Sequence, residues 1–148
     1  MESFMKYINR IYRCSMQYRG EKMADTTLGG CQCSYVFHIC KNPGISQDAL
    51  SQLLYVNKSN VTRQISMLET AGFVNRKTCE SDRRVIEVYP TQKALDLMPR
   101  IRLIMREWNE YLTEDMNEEE KKVAFDIIQK LSEKAVGYHL GMDKDKNI

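Results

Sequence analysis

Residues 57–89 read NKSNVTRQISMLETAGFVNRKTCESDRRVIEVY, and the apolar period changes inside them. From about Lys58 to Ala71 the apolar side chains Val61, Ile65 and Leu68 fall four and three apart, the spacing of one helix face. Gly72 follows, where a helix ending in a left-handed residue places its glycine. Beyond it, Phe73-Val74-Asn75-Arg76-Lys77-Thr78 predicts one strand and the β-branched run Val85-Ile86-Glu87-Val88-Tyr89 a second. The polar stretch Cys79-Glu80-Ser81-Asp82-Arg83-Arg84 predicts the loop of a hairpin between them. With Val61 and Ile65 inward, Ser59, Asn60, Thr62, Arg63 and Ser66 project outward. These are the short donors and acceptors that a helix needs in a DNA major groove. On a lone helix such a face reads more simply as solvated surface. A hairpin directly behind it changes the weighting, because Arg83 and Arg84 at its tip suit the negative potential of a narrow minor groove. Arg76 and Lys77 on the preceding strand add charge for phosphates.

Upstream, Ser46 predicts the N-cap of a short helix from Gln47 to about Leu54, with Leu50, Leu53 and Leu54 on its apolar side. Residues 55–58 form the break before the next helix, so the pair makes a helix-turn-helix. A helix over Cys31–Lys41 stops before Asn42-Pro43-Gly44, and residues 24–30 form a loop. Phe4, Tyr7, Ile8, Ile11, Tyr12 and Cys14 predict a first helix ending near Gly20. Downstream, Thr91 caps a long helix to about Leu112, with Pro99 inside it expected to kink or open it. Asn117 with Glu118, Glu119 and Glu120 announces a last helix by its capping box, and the stripe Ala124, Ile127, Ile128, Leu131, Ala135, Tyr138 continues it. The tail DKDKNI is expected to fray. The fold class is mainly α with a small β-hairpin wing, a winged helix-turn-helix.

The chain's 148 residues make one domain's worth of sequence, and 43% hydrophobic with 28% charged residues is a soluble globular mixture. No apolar run approaches 18 residues, so no membrane span is expected, and the N-terminus MESFMKYINRIYR carries no secretory pattern. Five cysteines, an odd number, fit free thiols in a reducing cytoplasm better than a disulfide framework. The net charge of +2 hides an asymmetry. Residues 57–106 carry ten basic and five acidic side chains, residues 107–148 six basic and eleven acidic. The middle third is thus the part fitted to an anionic partner. No Gly-rich phosphate loop, G-x-S-x-G elbow or H-E-x-x-H motif occurs, so an enzyme is not expected.

Asp82-Arg83-Arg84 followed by Val85, Ile86, Val88 and Thr91 resembles the D-x-R wing signature of the MarR (multiple antibiotic resistance regulator) family. Residues 57–63 and 68–74 resemble that family's recognition helix and its exit, and 42–47 with Leu50 its helix-turn-helix entry. The likeness extends over residues 4–140 in helix order, while 42–91 carry the specific part. It implies a single domain over 1–148, with dimerisation helices at about 1–40 and 91–148 and a winged DNA-binding region at about 34–90. It also implies a homodimer, held by the N- and C-terminal helices, that binds pseudo-palindromic double-stranded operators, usually as a repressor. By that likeness Ser46, Lys58, Ser59, Asn60, Thr62, Arg63, Arg76, Lys77, Asp82, Arg83 and Arg84 make the DNA-binding set, Arg84 entering the minor groove and Asp82 holding the wing's shape. The stripes of the first and last two helices support the dimer independently, since they hold more large apolar residues than a small winged core covers. One compact bundle with internal packing is the alternative.

Release by a small phenolic or aromatic effector is a further implication, with Tyr12, Arg13, Met16, Tyr35 and His38 as the candidate lining. Each of them is otherwise an ordinary core or surface residue. Cys14, with Arg10 and Arg13 nearby, offers a redox-sensing alternative on the same scaffold, against the plainer reading of a small buried hydrophobe. Cys31, Cys33, His38 and His139 lack the spacing of a structural zinc site, so neither metal nor cofactor is expected. A winged-helix interaction module that binds no DNA is the remaining alternative, since fold alone does not fix function.

Overall fold

The computed structural model describes residues 3–139, so the DKDKNI tail lies outside the described residues. In chain order the elements are α1 (Phe4–Lys22), α2 (Gly30–Lys41), β1 (Ile45–Ser46), α3 (Gln47–Leu54), α4 (Lys58–Thr70), β2 (Val74–Thr78), β3 (Ile86–Pro90), α5 (Gln92–Leu112) and α6 (Glu118–His139). The helix-turn-helix and the hairpin stand where the sequence places them. The wing holds one strand more than expected. β1 pairs antiparallel with β3 (Ile45 opposite Val88, Ser46 opposite Glu87), giving a three-stranded sheet in the order β1-β3-β2. Two residues are too few to show an alternation, so no period announces this strand.

Local chemistry sets most boundaries. Ser46 Oγ accepts the Ala49 N–H at 3.0 Å, and Asn57 Oδ1 accepts the Asn60 N–H at 2.7 Å, so α3 and α4 both begin on side-chain caps. α4 ends in a Schellman arrangement: Phe73 N–H donates to the Leu68 carbonyl at 2.9 Å and Gly72 N–H to the Glu69 carbonyl at 3.0 Å. Gly72 takes φ +81°, and Phe73 and Leu68 are both buried, which supplies the apolar contact of that motif. α6 opens with the reciprocal box, Asn117 Oδ1 on the Glu120 N–H at 3.0 Å and Glu120 Oε2 on the Asn117 N–H at 2.9 Å.

The strands shift by one residue, to Val74–Thr78 and Ile86–Pro90, and two helix boundaries move from the sequence reading. α1 runs past Gly20 to Lys22 because its C-cap Met23 is fully buried and anchors the last turn. α2 starts at Gly30, where the chain passes so close to α1 that a Cβ would lie 2.1 Å from the Met16 carbonyl oxygen. Only glycine fits there. α5 runs as one helix through Pro99, which stands on its exposed side.

The chain divides into two units, Met1–Trp108 and Asn109–Ile148. In the first, Leu50 from α3, Val61, Ile65 and Leu68 from α4, Phe73, Val74, Val88 and Ile101 form one core with Val36 and Ile39 of α2. Burying each such side chain contributes about 1.5–3 kcal/mol. Arg100 closes the loop after α1, donating to Asp25 Oδ1 and Oδ2 at 2.6 and 2.9 Å and to the Lys22 carbonyl. Phe4, Met5, Ile8, Ile11 and Tyr12 of α1 remain outside this core, 42–69% exposed. In the second unit no described residue of α6 is buried, and Val123, Phe125, Ile127, Ile128, Leu131 and Tyr138 are exposed.

Candidate nucleic-acid interface

α4 buries one face and solvates the other. Val61, Ile65 and Leu68 point into the core, whereas Lys58, Ser59, Thr62, Arg63 and Met67 are exposed. Asn60, Gln64 and Ser66 are half-buried on the flanks. The hydroxyl protons of this helix are spent internally. Ser59 donates to Asn57 Oδ1 at 2.9 Å, Thr62 to the Lys58 carbonyl at 3.0 Å and Ser66 to the Thr62 carbonyl at 2.9 Å. Thr62 Oγ1 also accepts from Gln47 Nε2 at 3.3 Å, a side-chain link between the two helices of the motif. Ser46 Oγ accepts as the cap of α3, which leaves its O–H as a donor. Lys58 Nζ lies 3.0 Å from Asp48 Oδ1, an exposed pair that water and salt weaken.

The wing tip is built by Asp82. Its Oδ1 accepts the Arg84 backbone N–H at 3.0 Å, and its two oxygens take Arg84 Nε and Nη2 at 3.1 and 3.2 Å. The Arg84 side chain is 90% exposed, so the carboxylate holds its base and leaves it in solvent. The Arg84 guanidinium, then its backbone N–H, holds the Asp82 carboxyl below the usual range. Arg83 beside it is exposed. Lys77 on β2 is exposed and 3.8 Å from Glu80. The loop is closed by Cys79 N–H on the Val85 carbonyl and Val85 N–H on the Asp82 carbonyl, both 2.9 Å.

Arg76 has a different place from the one its residue type suggests. Glu69, at the end of α4, accepts its backbone N–H at 2.8 Å and its Nε and Nη2 at 3.2 and 3.0 Å. Those bonds, the backbone one foremost, hold the Glu69 carboxyl below its ordinary value. Arg76 therefore ties the hairpin to the recognition helix, and its guanidinium is occupied.

Of the effector candidates, Tyr12 and Tyr35 lie within electrostatic reach of each other. Arg13 and Met16 line a shallow depression on α1 with Lys6, Asn9, Arg10 and Cys14, all from one helix, which cannot enclose a ring. Tyr12 is 60% exposed. His38 is half-buried, and burial, then Lys41, pushes its pKa down. Tyr35 is 4% exposed, and its phenol donates to Asn60 Oδ1 of α4 at 2.9 Å. Burial pushes that phenol's pKa up. Cys14 is exposed, while burial raises the Cys33 and Cys40 thiols. Among the described residues no three His, Cys, Asp or Glu side chains come together as a metal site, and no helix is long and apolar enough to cross a membrane.

A two-helix motif whose second helix exposes a polar face and leads into an arginine-tipped antiparallel wing defines a winged helix-turn-helix protein. The comparisons make the class particular. Residues 32–86 match the MarR family model. The chain is 31% identical over 110 residues to the HTH-type transcriptional regulator BilQ of Clostridium symbiosum, covering 74% of this chain and 76% of the relative. A MarR protein from Peptoclostridium difficile superimposes with a TM-score of 0.91 at 26% identity, over 96% of this chain and 94% of that one. A MarR family transcriptional regulator from Listeria monocytogenes, complexed with a 26mer DNA, has the same fold (TM-score 0.86, 24% identity, 100% and 99% covered). The chain belongs to the MarR family of transcriptional regulators.

Proposed function

We propose that the protein is a dimer that binds a pseudo-palindromic double-stranded operator in a sequence-dependent way. α4 enters the major groove of each half-site, and Arg83 and Arg84 reach the flanking minor groove. The observation that carries this reading is the continuity of one element. The face of α4 with Ser59, Thr62 and Arg63 is joined through the Glu69–Arg76 clasp to the hairpin that carries the arginine tip. An interaction module that binds no nucleic acid has no need of a carboxylate that shapes a solvent-exposed arginine. The working contact set is Ser46, Lys58, Ser59, Asn60, Thr62, Arg63, Lys77, Arg83 and Arg84, with Asp82 as the shaping residue and Arg76 left out.

Dimerisation rests on the exposed apolar residues of α1 and α6, such as Ile8 and Ile11 on one and Phe125 and Ile128 on the other. Occupying its operator would make the protein a repressor. Oxidation of Cys14, which stands beside Arg10 and Arg13, is the release signal that the test below separates from a small aromatic effector.

The test is selection of duplexes from a randomised pool by the reduced protein, then fluorescence anisotropy on a recovered and a scrambled duplex. Sequence-dependent binding by a species that sediments as a dimer is expected. Equal weak binding to both duplexes refutes the reading and returns the interaction module to first place. Oxidation that weakens binding in the wild type and spares Cys14→Ser supports the thiol signal, and an equal response in both removes it.

A further inference from the structure

The side chains of α2 do more than pack against α4. Gln32 sits at the third position of α2, and its Oε1 accepts the Gly29 backbone N–H at 2.9 Å. A backbone N–H only donates, so the Gln32 amide has one orientation. Its Nε2 then donates to Gln64 Oε1 at 3.2 Å, and the carboxamide oxygen of Gln64 is the end turned toward α2. One turn earlier on α4, the buried Tyr35 phenol donates to Asn60 Oδ1 at 2.9 Å. A phenol can donate or accept, and in this arrangement it donates to the amide oxygen rather than accepting from the NH2. The carboxamide oxygen of Asn60 is thus the end turned toward α2 as well.

We infer that Tyr35 and Gln32 are positioning residues: they lock the amides of Asn60 and Gln64 with both NH2 groups turned away from α2, making a strip of N–H donors beside Arg63 that grips acceptor atoms of the DNA. This rests on the DNA-binding reading above and deepens it. The strip matters because the hydroxyl protons of Ser59, Thr62 and Ser66 are spent within the protein. Donors on this part of α4 come from Arg63, Asn60 and Gln64. A freely rotating amide offers an acceptor or a donor with equal ease, and a locked one discriminates. A phenol is protonated, and so a donor, across the physiological range, and burial pushes its pKa further up. The acceptors are phosphate oxygens or the N7 and O6 atoms of guanine, which share one chemistry.

The experiment uses full-length protein and a duplex recovered by the wild type from a randomised pool, with Kd from anisotropy and Tm measured in parallel. Tyr35→Phe conserves volume and removes the donor. It is expected to bind about tenfold more weakly, the worth of one hydrogen bond to a charged or well-placed acceptor. In an Asn60→Ala background the same change is expected to cost nothing further. Asn60→Asp separates the two ends of the amide, because its carboxylate still accepts from Tyr35 while the outward NH2 becomes an anionic oxygen. It is expected to keep the wild-type Tm and to bind at least about tenfold more weakly than Asn60→Ala. If Tyr35→Phe moves Tm but not Kd, or Asn60→Asp binds as well as Asn60→Ala, the inference is overturned. Should Tyr35→Phe fail to fold, the Asp and Ala pair decides alone. A loss uniform over duplex sequences identifies phosphate as the acceptor, and a loss confined to one base pair of each half-site identifies a base. Failure of the wild type to recover any duplex overturns the DNA-binding reading itself, a result distinct from wild-type binding that the variants leave unchanged.

Discussion

Arg76 and Arg84 are eight residues apart on one hairpin, one held by Glu69 and the other in solvent, and a salt titration separates the structural role of the first from the proposed DNA contact of the second. Arg63, Arg83 and Arg84 are exposed and basic, and a dimer presents six such side chains. Adding Lys58 and Lys77, also exposed, raises the number to ten. With a slope of about −0.9 per neutralised phosphate, log K against log salt should run between about −5 and −9. From about 50 to 200 mM salt, affinity should then fall by about three to five decades. Arg84→Ala removes one cation from each wing, so the slope should become shallower by about 1.8. The affinity advantage of the wild type over this variant should shrink about tenfold over the same salt range. Its Tm should stay put, because Asp82 keeps the bond to the backbone N–H of residue 84, which alanine retains. Arg76→Ala should do the reverse. Its guanidinium is bound by Glu69 at 3.0 and 3.2 Å and neutralises no phosphate, so the slope should match the wild type. Loss of a half-buried, doubly hydrogen-bonded pair should cost about 1 kcal/mol after screening by solvent, a drop of a few degrees in Tm. Anisotropy at four or five salt concentrations and one thermal melt per variant suffice. A wild-type slope for Arg84→Ala, or a flattened slope for Arg76→Ala, refutes the assignment.

Three further outcomes follow from the same geometry. Asp82→Ala removes a negative charge from a DNA-facing loop, yet it should weaken binding, because the Arg84 backbone and guanidinium lose their shared acceptor; tighter binding, read by anisotropy, would show that bulk charge outweighs shape. Gly30→Ala places a Cβ 2.1 Å from the Met16 carbonyl, which must force α1 and α2 apart at a cost of about 3 kcal/mol, and an unchanged urea midpoint would contradict that packing. The Glu69 carboxyl is depressed from its ordinary 4.5, so its contribution is complete above that pH and is lost as pH falls through the lower folded value; the stability gap between wild type and Glu69→Gln should be flat at neutral pH and close in acid, and a gap that widens in acid reverses the sign.

Much of the fold was legible because its signals are local. Ser46, Asn117 with Glu120, and Gly72 act on groups three or four residues away, within reach of a reader of the sequence, whereas the Asn57 cap stands in what reads only as a break. The spacing of Val61, Ile65 and Leu68 fixed which face of α4 is buried, and the arginines of the tip are exposed as their loop position implied. β1 escaped because two residues have no period, and its partner Val88 lies forty-three positions beyond Ile45. Of the elements that position the interface, it is the one announced by no residue of its own.

Side-chain partners are the part that residue type misleads. As an arginine on a basic strand, Arg76 reads from the sequence as a phosphate-binding cation. What occupies it is a carboxylate seven positions upstream, across the point where helix gives way to strand. Glu69 and Arg76 flank the glycine exit, and a helix-ending acid followed by a strand arginine is the sequence signal of that pair. Tyr35 reads by type as a ring-binding aromatic, and packing also makes it a buried donor to Asn60, twenty-five positions away. In both cases the sequence names a capacity, a cation or a phenol, and packing decides whether a partner within the chain consumes it. The same reasoning runs forward for α4. Its hydroxyls look from sequence like groove-reading donors, yet their protons are already given to Asn57, Lys58 and Thr62. What the helix has left to offer DNA is therefore hydroxyl oxygens, the ammonium of Lys58, the guanidinium of Arg63 and two amides whose direction is set from α2. A recognition helix read in isolation overstates its donors, and the helix packed behind it decides which of them face the groove.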